Sequence, residues 1–197
     1  MNTLKAEKRT MDTKAKRLRR EGYVTGNVFG REMEGSIPVK IEKSAVEKLL
    51  KTSNKGSQIM LDVDGQAYDV LIKEIQFNPL KGQMDEIDFQ ALVSNEKVHS
   101  VAEIVLVNHD KLAAGVLQQH LEEISFRALP SALVDKVMVD VGDMKVGDVI
   151  KVKDLAIAQD KDVDLKTDLE AAVVSVAAVH VDPAVEAEEE TAEEEAK

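Results

Sequence analysis

The first twenty residues hold a dense set of charged side chains: Lys5, Lys8, Arg9, Lys14, Lys16, Arg17, Arg19 and Arg20 face only Glu7 and Asp12, a local balance of +6. Ammonium and guanidinium groups at this density suit phosphate oxygens, which accept charge-assisted hydrogen bonds from them. A solvated basic helix or a frayed amino-terminal arm fits the charge equally well. The other candidate clusters for chemistry fail on spacing. Asp160, Asp162 and Asp164 begin as a calcium loop does, but Leu165 and Ala171 stand where that loop needs Gly and Glu. These aspartates fit a solvated loop. His99, His109, His120 and His180 lack zinc-ligand spacing, and the chain has no Cys for a thiolate nucleophile, a disulfide or an iron–sulfur cluster. Neither a Gly-rich phosphate or dinucleotide loop nor a GxSxG elbow is present. The expectation is a protein that is not an enzyme and has no cofactor or metal site.

The formal net charge of −11, from 26 basic and 37 acidic residues, argues against a nucleic-acid partner until it is divided along the chain. Met1 to Ser94 carries 16 Lys and Arg against 14 Asp and Glu, a balance of +2. Asn95 to Asp182 carries 9 against 16, or −7, and Pro183 to Lys197 carries 1 against 7, or −6. Salt screens charge over roughly 8 Å, so a basic end can attract phosphate on an acidic molecule. The 183–197 segment has almost no large apolar residue and reads as a disordered acidic tail. It would keep the protein soluble or, more sharply, compete with RNA for the basic arm. With no apolar run near the roughly 20 residues of a membrane span and no apolar core in the basic amino terminus, the expected location is the cytoplasm, with no membrane partner.

The 197 residues suffice for two small domains, and the elements that must carry the charged groups are short. Ala15 to Glu21 forms a helical turn stopped by Gly22, and Tyr23 to Phe29 enters a strand. Ile37, Val39 and Ile41 alternate as in a half-buried strand. Ser44 with Glu47 predicts a capping box for a helix with Val46, Leu49 and Leu50 as its apolar stripe. Gln58 to Asp64, the Asp64–Gly65 turn and Tyr68 to Ile75 predict a hairpin. A loop from Phe77 to Gly82 and a strand from Ile87 to Val93 complete a small sheet or barrel. Beyond it, strands at Val101 to Val107, Ile124 to Leu129, Val137 to Val141, Val149 to Val152 and Ala172 to Val181 predict a second all-β domain, with a helical turn in Val116 to Glu122. The fold class is mainly β (α+β): a small amino-terminal β-barrel domain with short helices over 1–94, a β-rich domain over 95–182 and the tail over 183–197.

Lys16-Arg17-Leu18-Arg19-Arg20-Glu21-Gly22 followed by Val24-Thr25-Gly26-Asn27-Val28-Phe29-Gly30 resembles the opening of the bacterial 5S rRNA-binding ribosomal proteins. This is the large-subunit protein twenty-five family, here in its two-domain form, the general stress protein Ctc. Ile75-Gln76-Phe77-Asn78-Pro79, Ile87-Asp88-Phe89-Gln90, Ala128-Leu129-Pro130 and the run from Val139 to Asp148 extend the likeness across most of Leu4 to Asp182. The resemblance implies a structural ribosomal protein that binds 5S rRNA in the central protuberance of the large subunit. Its partners would be 5S rRNA and large-subunit proteins, and it would be a monomer off the ribosome. By position it places Arg9, Arg19, Arg20, Gln76 and Asp88 at or near RNA, together with the positions held by Phe29 and Glu86; Lys14 and Arg17 of the basic segment complete the expected RNA-binding residues. Arg and Lys would meet phosphates, and the Gln amide would meet sugar or base edges of a minor groove. Asp88 would accept from a base amino group or a 2′-hydroxyl, or hold a neighbouring Arg. Three positions depart from the family pattern: Phe29 replaces Tyr, Thr25 replaces Pro, and Glu86 replaces His, putting a carboxylate where a donor is expected. The Phe29 and Glu86 departures motivate an alternative, a stress-related protein-interaction module on the same fold with weakened RNA binding.

Overall fold

The computed structural model describes residues 2–111 and 115–178. The first six strands are β1 (Thr3–Lys8), β2 (Tyr23–Phe29), β3 (Ile37–Glu42), β4 (Gln58–Val63), β5 (Gln66–Asn78) and β6 (Gln83–Ala91), and two helices, α1 (Ala15–Arg20) and α2 (Lys43–Leu50), lie among them. They close into a barrel in the order β1-β3-β2-β6-β5-β4, sealed by parallel pairing of β1 with β4. Strand periodicity turns Leu4, Val28, Val39, Ile41, Leu61, Ile72, Ile87 and Phe89 into the barrel, where each is at most 3% exposed. Each such side chain contributes about 1.5–3 kcal/mol of burial.

The basic arm expected ahead of the barrel is in part a barrel strand. Leu4 and Ala6 are buried, which commits Lys5 and Glu7 to the outside of β1, because successive side chains of a strand point to opposite faces; Lys8 is exposed at the strand's end. The capping box is also corrected. Helix α2 begins at Lys43, Ser44 donates to Glu42 Oε1 at 2.8 Å, and no side chain caps the first turn. β5 runs on through Phe77 and Asn78, and β6 starts at Gln83, so the expected loop shrinks to a tight turn. The Asp64–Gly65 hairpin turn has φ of 51° and 89°, the left-handed pair that joins twisted antiparallel strands.

Seven further strands follow: β7 (Val98–Val107), β8 (Val116–Gln119), β9 (Glu123–Ala128), β10 (Lys136–Asp140), β11 (Val149–Lys151), β12 (Val163–Leu165) and β13 (Ala172–Ala177). They form a four-stranded sheet, β10-β7-β9-β12, and a three-stranded sheet, β11-β13-β8. Between them lies a second apolar core that includes Ile124, Phe126, Val139, Val152 and Val174. Val116 to Gln119 is strand, not the expected helical turn, because it pairs antiparallel with β13. β12 was not expected and carries Asp164 in its centre, paired with Arg127 of β9. The architecture is therefore mainly β, as the alternation predicts. His180, the last expected strand residues 179–181 and the 183–197 tail lie outside the described residues.

The loop 53–57 lies against β7 and β9. Gly56 has φ of 89°, and a Cβ there would stand 2.0 Å from the Val101 carbonyl oxygen. Ser100 Oγ donates to the Gly56 carbonyl at 3.4 Å, Lys55 pairs with Glu123 at 2.9 Å, and the Asn54 amide donates to Glu103. Lys73 donates to the His99 carbonyl at 2.8 Å, and burial together with the Lys55 charge holds its ammonium below the usual lysine range.

Candidate nucleic-acid interface

Helix α1 is a single short turn anchored by Leu18, which is 6% exposed. With Leu18 inward, Lys14, Lys16, Arg17 and Arg20 are exposed. Arg17, Arg19 and Arg20 occupy the last turn, where the helix dipole favours cations. Gly22 at φ 90° then reverses the chain into β2. Arg17 pairs with Glu21 at 2.8 Å, but its side chain is 76% exposed, so solvent screens the pair and it yields to a phosphate.

The strands next to α1 supply a polar face. Register aligns Gln76 of β5 with Glu86 of β6, Glu86 with Thr25 of β2, and Thr25 with Lys40 of β3. Lys40 pairs with Glu7 at 2.8 Å and lies 4.9 Å from the Tyr23 ring centre. The hydrogen bond that Lys40 donates to Glu7 holds its ammonium above the usual lysine range. One step along, Asp88 Oδ1 accepts from the Asn27 backbone amide at 3.0 Å and from the Asn27 side chain at 3.3 Å.

This approach of β2 to β6 depends on Gly26. A Cβ on it would stand 1.9 Å from the Ile87 carbonyl oxygen.

Arg19 crosses from α1 onto this face. Its Nε donates to the Asp85 carbonyl at 2.9 Å, and Nη2 lies 3.5 Å from Thr25 Oγ1. Carboxylate oxygens of Asp85 and Glu86 stand at 3.8 and 3.9 Å, and the Arg19 side chain is 27% exposed. One guanidinium thus faces two carboxylates. Asp85 also accepts from Asn78 at 3.2 Å and from Gln83 at 3.5 Å.

The structure therefore brings Arg19, Gln76 and Glu86 together and sets exposed Lys14, Arg17 and Arg20 on the neighbouring helix. Asp88 holds Asn27 rather than an arginine. Arg9 lies at the root of α1, donating from Nη2 to the Thr13 carbonyl at 3.0 Å. Its buried Nε has no partner among the described residues. Phe29, 37% exposed, pairs with Gln90, four residues or roughly 13 Å along β2 from Thr25.

Thr25, Asn27, Asn78 and Asp85 were not among the expected site residues. Alternation along β2 gives the signal for Thr25 and Asn27. Asp85 had none, because its main role runs through a backbone carbonyl. Phe77 is another addition: a register shift between Gln76 and Phe77 leaves it 56% exposed. A cavity of about 810 Å³ lies between the outer face of β1 and α2. None of the expected RNA residues lines it. The exposed side chains of Lys14, Lys16, Arg17, Arg20 and Gln76 suit contact with an extended polyanion.

Comparison with known proteins agrees across both halves of the chain. The Ribosomal L25p family model matches residues 4–89, and the model for the Ribosomal protein TL5 C-terminal domain matches residues 97–180. The chain is 31% identical to the large ribosomal subunit protein bL25 of Caldanaerobacter subterraneus, with 88% of each chain covered. It is 32% identical to the bL25 of Listeria monocytogenes serotype 4b, covering 89% of this chain and 86% of the relative. To the bL25 of Bacillus velezensis it is 31% identical, covering 98% and 94%.

Proposed function

Because this chain belongs to the bL25 family of large ribosomal subunit proteins, we propose that it is a structural ribosomal protein that docks on 5S rRNA through α1 and the adjoining outer face of β2, β5 and β6. The observation that carries this reading is the placement of exposed Lys14, Lys16, Arg17 and Arg20 beside a polar strand face. Their cations meet phosphates and set orientation. The exposed Gln76 amide lies where it can read sugar or base edges in a shallow RNA minor groove. Arg9 and Asp88 support this surface, Arg9 by closing the loop into α1 and Asp88 by fixing Asn27. Phe29 marks the far edge.

The second unit, with its balance of −7 over Asn95 to Asp182, repels RNA and turns toward large-subunit proteins. We place the domain boundary at 94 and 95, both exposed in the turn between β6 and β7. Off the ribosome the protein is a monomer, it works in the cytoplasm on ribosomes, and its role is not catalytic. Among the described residues no helix is long and apolar enough to cross a membrane.

The test is a titration of the full chain with 5S rRNA over a range of salt. Neutralising about four phosphates gives a slope of log affinity on log salt of about −3 to −4. A flat profile, or no complex at low salt, refutes the reading. The same titration judges the alternative of weakened binding, which the Glu86 carboxylate favours.

A further inference from the structure

We propose that Asp85 is a positioning residue for RNA binding and that Arg19 is a strut between α1 and the barrel rather than a phosphate contact. The inference rests on the RNA-binding reading above and adds a residue and a division of labour to it.

Asp85, in β6, is the point where α1, β2 and β5 meet that strand. Its backbone carbonyl accepts from Arg19 Nε of α1 at 2.9 Å and from Thr25 Oγ1 of β2 at 3.3 Å. Its carboxylate accepts from Asn78 at the end of β5 and from Gln83 at the start of β6. The side chain therefore holds the β5–β6 turn in the geometry that aims the carbonyl at Arg19. Helix α1 is only six residues long, too short to be stable alone, so its orientation depends on Leu18 and on this connection. Arg19 is part-buried with two carboxylates within 4 Å, so it brings no net positive charge to a phosphate. Glu86 differs from Asp85. Beyond the ion pair at 3.9 Å, no side-chain hydrogen bond is seen for it among the described residues.

The two neighbouring carboxylates give opposite predictions when removed. Electrostatics alone says that deleting either negative charge from an RNA-facing surface tightens binding. A positioning role reverses the sign for Asp85. In full-length protein titrated with 5S rRNA, Glu86→Ala tightens binding, by about twofold or more, while Asp85→Ala weakens it at least fivefold. Arg19→Gln weakens binding without changing the salt slope, whereas Arg20→Gln lowers the slope by about one. A readout without RNA separates this proposal from the binding reading itself. Amide hydrogen exchange across α1 speeds up in Asp85→Ala and stays unchanged in Glu86→Ala, while protection in β4 and β5 confirms that both variants keep the barrel. The proposal is overturned if both alanine variants shift affinity in the same direction, if Arg19→Gln lowers the slope as Arg20→Gln does, or if α1 exchange is unaffected by Asp85→Ala. Failure of the unaltered chain to bind 5S rRNA would instead overturn the function assigned above, with the exchange result still deciding the role of Asp85.

Discussion

Gly26→Ala should break the barrel where β2 meets β6, and the structure sets the scale of the damage. The new methyl carbon would sit 1.9 Å from the Ile87 carbonyl oxygen and 3.0 Å from its carbon. Ordinary van der Waals contact needs about 3.4 Å or more, so β2 and β6 must separate by more than 1 Å. Neither strand has room to yield. Val24 and Val28 flank Gly26 inside the barrel, Ile87 and Phe89 are fully buried, and β3 holds β2 from the other side. Overpacking a tight core costs about 1–3 kcal/mol, and a clash with backbone belongs at the upper end, about 3 kcal/mol. For a cooperative unit of this size that is a fall in Tm of about 12 °C or more. The assay is thermal unfolding of the full chain followed by circular dichroism. Gly65→Ala is the control, because Gly65 has φ of 89° but nothing within 4 Å of its would-be Cβ. It reports backbone strain alone, about 1–2 kcal/mol. If Gly26→Ala melts within about 3 °C of the unaltered protein, the close β2–β6 approach is wrong, and so is the geometry that lets Asn27 reach Asp88.

Three further outcomes are expected. Asp88→Ala leaves the part-buried Asn27 amide without its acceptor, costing about 1–3 kcal/mol in urea unfolding, and weakens 5S rRNA binding with no change in salt slope; a lowered slope would mean that Asp88 acts on RNA electrostatics directly. Gly56→Ala forces a Cβ to 2.0 Å from the Val101 carbonyl oxygen, so the contact between loop 53–57 and β7 opens and small-angle scattering reports a larger radius of gyration, while an unchanged profile contradicts that packing. Glu170, hydrogen-bonded to Lys151 at 2.7 Å and Lys153 at 2.9 Å, has its carboxyl held down at about 2 from an ordinary 4.5. A lowered folded-state pKa stabilises above the ordinary value and loses its effect as pH falls toward the folded one. Glu170→Gln therefore melts lower than the unaltered protein at neutral pH, with the gap closing between about pH 4.5 and 2; a gap that persists at pH 2 rejects the ion-pair explanation.

Alternation and turn chemistry made most of the barrel legible. Ile37, Val39 and Ile41, the Asp64–Gly65 turn, and Gly22 after α1 each carry a local signal that tertiary packing did not override. What the sequence hid was long-range. β1 reads as a charged arm because only Leu4 and Ala6 face inward, and its pairing with β4 lies over fifty residues away. Val116 to Gln119 becomes a strand only because β13 offers an edge. In the site, the basic residues of α1 and the Gln76–Glu86 pair were visible as residue types. Arg19 shows the limit of residue type: its charge is plain in the sequence, but the carboxylates of Asp85 and Glu86 that stand beside it lie more than sixty residues later.

The most direct test of the central claim is 5S rRNA binding by a full chain carrying Lys14→Gln, Lys16→Gln and Arg20→Gln together. These side chains are exposed and none makes a side-chain hydrogen bond or ion pair among the described residues. The melting temperature should stay within about 2 °C of the unaltered protein while the salt slope falls by about three. An unchanged slope in a folded protein would contradict the assignment of α1 as the phosphate-binding element.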